Sequence, residues 1–84
     1  MVNNGGFPSY KATKLKSILK KKLGYRAVPK SGSGSHTKLR SEGRPDLLWA
    51  FHNGVTIPPG LVRNILVVQV GLSIEEARKV VGNG

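Results

Sequence analysis

Apolar residues recur at helical spacing near the start of the chain. Ala12, Leu15, Ile18, Leu19 and Leu23 fall on one side, while Lys14, Lys16, Lys20 and Lys21 are directed elsewhere. The spacing predicts a helix over about residues 10–23, capped by Ser9 and closed by Gly24. Lys11 and Lys22 fall inside the apolar arc, so their stems must lie along it while the ammonium groups reach water. The lysine run itself reads as a solvated helix face. Strand patterns follow. Residues 25–30 are rich in strand formers, and Ser31, Gly32 and Ser33 form a turn. In residues 34–40, Thr37 and Leu39 alternate with His36, Lys38 and Arg40. Residues 41–45 read as a loop, since Pro45 has no N–H to give a central ladder. Over residues 46–52, Leu47, Trp49 and Phe51 alternate with Leu48, Ala50 and His52.

Asn53-Gly54 marks the next turn. Pro58 and Pro59 suit a helix start, where the first N–H groups have no intrahelical partner. The helix is expected to run to Val70, with Leu61, Ile65 and Val68 as its core stripe and Leu72 continuing it. Val62, Leu66, Val67 and Val70 make the same segment apolar around much of its circumference, which predicts an exposed patch able to meet a partner. Ser73 and Glu76 have the spacing of a capping box before a last helix over residues 74–81. The order is α-β-β-β-α plus a short C-terminal helix. It belongs to the α+β class, with a three-stranded antiparallel sheet carrying helices on one face, and resembles the double-stranded-RNA-binding fold. Residues 1–9 are expected to be a flexible arm, 10–81 a single domain and 82–84 a tail.

Charge changes the picture more than length does. In 84 residues there are 14 Lys plus Arg against 4 Asp plus Glu, a formal net charge of +10. An excess of that size favours polyanionic partners, nucleic acid foremost. The chain has no cysteine, which excludes disulfides and thiolate metal sites. Two histidines and four scattered carboxylates form no recognisable ligand cluster, so no metal and no cofactor are expected. No apolar run reaches the ~20 residues needed to span a bilayer, and no signal peptide is evident, so a cytoplasmic location is expected.

Candidate chemistry centres on Gly34-Ser35-His36. Histidine changes charge near physiological pH and can give or take a proton. Backbone N–H groups in a Gly/Ser loop can turn toward an anion, and Lys30, Lys38 and Arg40 flank the site with positive charge. If the hairpin pairs Arg40 with Asp46, His36 stands opposite Ala50 and diagonal to His52. Such neighbours are roughly 7–8 Å apart, close enough to hold a phosphate between them. His52 is then either a second acid/base or a structural residue at the strand–helix junction.

The chain also resembles the HicA family, the messenger-RNA-cleaving toxins of HicA–HicB toxin–antitoxin systems. The residues that carry the resemblance are the basic helix ending in Leu23-Gly24-Tyr25, then Gly34-Ser35-His36 with cations after it, and His52. Pro59-Gly60-Leu61-Val62-Arg63-Asn64-Ile65-Leu66 and Gly71-Leu72-Ser73 before Glu75-Glu76 complete the set. The Gly/Ser loop before His36 is longer than the family's usual approach, and Trp49-Ala50-Phe51 stands where the family usually has a proline. The resemblance implies a double-stranded-RNA-binding-like fold and metal-independent endoribonuclease activity on mRNA that inhibits translation. It also implies His36 as the catalytic residue, and a HicB-type antitoxin that occludes His36. A monomer alone and a hetero-oligomer with the antitoxin are the expected states. The alternative is a non-catalytic basic RNA-binding module of the same fold, which would read RNA through phosphates and 2′-hydroxyls without using His36.

Overall fold

The computed structural model describes residues 7–28 and 36–82. Helix α1, Ala12–Leu23, buries Ala12, Leu15, Ile18, Leu19 and Leu23, the stripe its spacing predicts. Gly24 ends it at φ +74°, a conformation that costs a residue without a Cβ little. The Tyr25 N–H then bonds back to the Leu19 carbonyl at 3.1 Å.

The start of α1 differs from expectation. Ser9 does not cap it. Tyr10–Lys11 is a short strand, β1, and the helix begins only after Lys11, whose side chain makes no capping bond. Strand β1 pairs antiparallel with a second short strand, β5, Thr56–Ile57, through Tyr10↔Ile57 and Lys11↔Thr56. The Ala12 N–H continues the attachment to the Val55 carbonyl at 2.8 Å. Lys11 therefore does not lie along the helix stripe; its ammonium donates to the Gly54 carbonyl at 3.4 Å. Two-residue strands carry no alternation to betray them, so the residue pattern gives no sign of this ribbon.

The main sheet has the order β2-β3-β4, all antiparallel. Its strands are β2, Arg26–Ala27, β3, Thr37–Arg40, and β4, Leu47–Trp49. Each is shorter than its expected segment, and residues 29–35 lie outside the described residues along with 1–6 and 83–84. Leu39, Leu47 and Trp49 point inward and join α1, Phe7 and Tyr25 in one core. That fixes an α+β architecture with helices on one face of a three-stranded sheet, a double-stranded-RNA-binding-like arrangement.

After β5 the chain enters α2, Pro59–Arg63, which widens without a break into a π-helical stretch, Asn64–Gln69. The Val70 N–H bonds five residues back to Ile65 at 2.9 Å. Val62, Leu66 and Val70, four residues apart, are buried with Ile65, whereas Leu61 is only half-buried and Val68 is 65% exposed. The expected stripe of Leu61, Ile65 and Val68 thus holds at Ile65 and in part at Leu61, which packs against the core, and fails at Val68. Val62, Leu66 and Val70 do not form an exposed patch for a partner. They are core.

Gly71, at φ +92°, reverses the chain into α3, Ile74–Gly82. The capping box forms as its spacing predicts: the Glu76 N–H donates to Ser73 Oγ and the Ser73 N–H to Glu76 Oε1, both at 3.0 Å. Ala77 and Val81 bury the inner side of α3, and the Tyr10 hydroxyl donates to the Val81 carbonyl at 2.9 Å.

Candidate nucleic-acid interface

The outward face of the three-stranded sheet is left uncovered by the helices. Alternation determines what stands on it. Tyr25, Leu39, Leu47 and Trp49 are all under 5% exposed and face the core, so their neighbours Arg26, Lys38, Arg40 and Leu48 face away. The β3–β4 register is Thr37↔Trp49, Lys38↔Leu48 and Leu39↔Leu47. Continued by one step, it sets Arg40 against Asp46, the pairing expected for this hairpin. Their side chains form an ion pair of 3.3 Å. Both partners are well exposed, so this pair orients the guanidinium more than it stabilises the fold.

His36 is exposed and immediately precedes β3. Continued one step the other way, the same register brings it level with Ala50, beyond the end of the ladder. Lys38 is half-buried beside Leu48, which is 62% exposed. Lys38 and Arg40 are thus alternate residues of β3, the middle strand of the sheet, and His36 holds the next alternate position just before that strand begins. Lys30, Gly34 and Ser35 lie outside the described residues.

His52 stands past the end of β4, exposed, at the turn through Asn53 and Gly54. Its carbonyl accepts the Val55 N–H at 3.0 Å, closing that turn. Between it and β4, Phe51 stays half-buried, with its ring edge-on to Trp49 at a centroid distance of 5.1 Å. The aromatic pair anchors the exit of β4 and so sets where His52 emerges.

Two cations that sequence reasoning did not single out line a groove together with Arg40. Arg26 is the cross-strand partner of Arg40. Arg44 lies in the loop between β3 and β4, near enough to act on the Tyr25 hydroxyl. That hydroxyl is pushed up chiefly by burial, with Arg44 pulling the other way, and donates to the Pro45 carbonyl at 2.7 Å. Arg26 was legible in principle, since it follows the inward-facing Tyr25. Arg44 belongs to no periodic pattern.

A separate groove of about 250 Å³ lies beside α1, lined by Thr13, Lys16, Ser17, Lys20 and Asn53. It sets two lysines of the helix next to the turn that carries His52. Among the described residues, no three His, Cys, Asp or Glu side chains gather where they could hold a metal ion, and no helix is long and apolar enough to cross a membrane.

The family model for the HicA toxin of bacterial toxin–antitoxin systems matches residues 12–72. Comparison with curated proteins and with solved structures gave no match. The matched region runs from the first residue of α1 to the buried Leu72, and so takes in the whole three-stranded sheet with both histidines.

Proposed function

This chain belongs to the HicA toxin family, and we propose that it is a metal-independent endoribonuclease that cleaves mRNA and thereby stops translation. The observation that supports this reading is Lys38 and Arg40 on the uncovered face of the sheet, with the exposed His36 in line with them just before β3. A polyanion laid along that line meets a proton acceptor and two cations in succession.

In the proposed step, His36 accepts the proton of an RNA 2′-hydroxyl as its oxygen attacks the adjacent phosphorus. The bond from phosphorus to the 5′-oxygen breaks, and that oxygen takes up a proton. The products are a 2′,3′-cyclic phosphate and a 5′-hydroxyl. Lys38 and the backbone N–H groups of Gly34 and Ser35 steady the charge on the phosphorane, and Lys30 and Arg40 hold the flanking backbone. His52 either supplies the proton to the leaving oxygen or closes the junction after β4. The acting unit is residues 10–81, working in the cytoplasm as a monomer. It is silenced when an acidic HicB-type antitoxin covers the face that bears His36, a capture hastened by charge complementarity.

The test is RNA cleavage in the presence of a chelator by the wild-type chain and by His36→Ala. Wild type should cut and leave cyclic-phosphate ends, while the variant should lose about 10²–10⁴-fold in rate with RNA affinity little changed. Cleavage that stops with chelator, or full activity in the variant, would overturn the mechanism. RNA binding without cleavage by the wild type would point instead to the non-catalytic module.

A further inference from the structure

The pairing of Arg26 with Arg40 is the least comfortable contact in the sheet. The two residues are direct cross-strand partners and both are exposed. Like charges opposite one another on a sheet face destabilise it. Asp46 offsets one of them only, by its 3.3 Å ion pair with Arg40. Two arginines at paired positions with one carboxylate against them leave positive charge for an added anion to meet.

The surrounding loop builds a site there. A groove of about 680 Å³ has Arg26 and Arg40 on one side and Arg44, Glu42 and Asp46 on the loop side. The loop is held at both ends of its turn. The buried Ser41 hydroxyl donates to the Leu23 carbonyl at the end of α1, and the Arg44 N–H bonds to the Ser41 carbonyl at 3.1 Å. Gly43, at φ +78°, makes the bend between them. The Tyr25 hydroxyl fastens the far side at Pro45. Three guanidinium groups against two carboxylates leave one unit of positive charge, the complement of a single phosphodiester. The planar fork of arginine suits two oxygens of one phosphate.

A smaller recess of about 360 Å³, lined by Arg26, Ala27, Val28 and Arg40, adjoins the groove. It runs along β2 beside Lys38, whose carbonyl accepts the Val28 N–H at 2.9 Å. The groove therefore lies on the path that leads along β3 toward His36. Four residue steps along the extended chain separate His36 from Arg40, about 13 Å at ~3.3 Å per step. A phosphate held there belongs to a different nucleotide from the one being cut.

We infer that Arg26, Arg40 and Arg44 form a second RNA-phosphate subsite, which holds the strand away from the scissile bond and sets how long an RNA must be to bind well. This inference rests on the RNA-cleaving reading, and its test uses the full-length chain carrying His36→Ala, so that binding is measured without cleavage. Affinity is measured at several salt concentrations for a dinucleotide and for a single-stranded RNA of roughly ten nucleotides, within the range of single-strand sites. Arg26→Ala, added to that background, should make the log–log salt slope for the longer RNA shallower by about 0.7. Arg26→Ala with Arg44→Ala should weaken the longer RNA about tenfold or more, while the dinucleotide binds as before. Arg26→Lys should keep the slope and lose part of the affinity. Lys14→Ala, at an exposed cation on α1 that lines none of these grooves, should change neither.

An unchanged slope in the Arg26 and Arg44 variants would overturn the subsite, as would an equal effect from Lys14→Ala. Tighter binding of polyglutamate than of RNA, abolished by Arg26→Ala, would make the groove a protein-docking site and overturn it too. Failure of the mechanism itself is read separately, in cleavage by the chain with His36→Ala alone.

Discussion

The two faces of the three-stranded sheet are built from alternate residues of the same strands, yet they obey different rules. Inside, Leu39, Leu47 and Trp49 are nearly inaccessible to solvent, and each fills a place in one continuous core. Outside, Arg26, Lys38, Arg40 and Leu48 have no layer above them, and cation is set against cation at Arg26↔Arg40. Burial explains the first set completely. Burial does not explain the second: Arg40 has its exposed ion pair with Asp46, while Arg26 opposite Arg40 sets like charges against one another.

That contrast is most easily broken at neighbouring residues. Trp49→Ala empties a large volume in the core and removes the ring that supports Phe51; it should cost about 3–5 kcal/mol. For a domain of this size, that is enough to unfold much of the population. Leu48→Ala, one residue earlier and on the outer face, should change stability by no more than about 0.5 kcal/mol. Urea unfolding midpoints compare the two directly. A large loss at Leu48 would mean that the outer face carries structural weight after all.

A second pair extends the comparison to the helix after β5. Val62→Asp places a carboxylate at a fully buried position and should leave little folded protein. Val68→Asp falls on a side chain 65% exposed and should be tolerated, with a near-native circular dichroism spectrum and melt. Equal behaviour of the two variants would contradict the inward set of Val62, Ile65, Leu66 and Val70.

This helix also shows where sequence reading loses its footing. Helical spacing finds the stripe of α1 residue by residue, since an ordinary α turn governs all of it. Beyond Gly60 only Arg63, Asn64 and Gln69 interrupt the apolar run to Val70, so periodicity offers little contrast, and the buried set falls on Val62, Ile65, Leu66 and Val70 with Leu61 at its edge and Val68 outside it. Strand alternation does better. It separates His36, Lys38 and Arg40 from Leu39, and a register passing through Arg40 and Asp46 holds along the observed ladder. The ribbon of β1 and β5 escapes because two residues make no pattern. Arg44 escapes because loop geometry, held by Ser41 and Gly43, brings it to the groove. Of the candidate site, then, the part that lies on a strand is legible, and the part assembled by a turn is not.

On the outer face the expected effects are smaller and appear in binding, not in folding. Lys38→Ala and Arg40→Ala should each weaken RNA binding. Each should also make the log–log salt slope shallower, by about 0.7 for every single-strand phosphate that is no longer neutralised. Arg40→Ala also breaks the exposed pair with Asp46, which should lower stability by at most about 1 kcal/mol. Slopes unchanged in both variants would remove these side chains from the interface and leave the outer face without its explanation.

The smallest effect tests the inner layer from its edge. Ser73 and Glu76 bond reciprocally at the start of α3, whose Ala77 and Val81 close the core. Removing the cap hydroxyl in Ser73→Ala should cost about 1 kcal/mol. The Glu76 carboxyl is held below its ordinary value of 4.5, first by the hydrogen bond from the Ser73 N–H, then by that with its hydroxyl; Arg44 and Lys79 add smaller pulls in the same direction. A carboxyl whose value is lower in the folded state than in the unfolded one stabilises the fold above the unfolded value. That contribution fades as the pH falls through the folded one. The melting temperature of wild type should therefore exceed that of Glu76→Gln near neutrality, and the gap should narrow below about pH 4.5. RNA binding at neutral pH should keep its salt slope in both Ser73→Ala and Glu76→Gln, because this box supports the buried side of the molecule. A gap independent of pH would show that the Glu76 carboxylate contributes nothing to the cap through its charge. A changed salt slope would show that the two sides of the molecule are coupled through Arg44, a cation placed to act on both Glu76 and the groove.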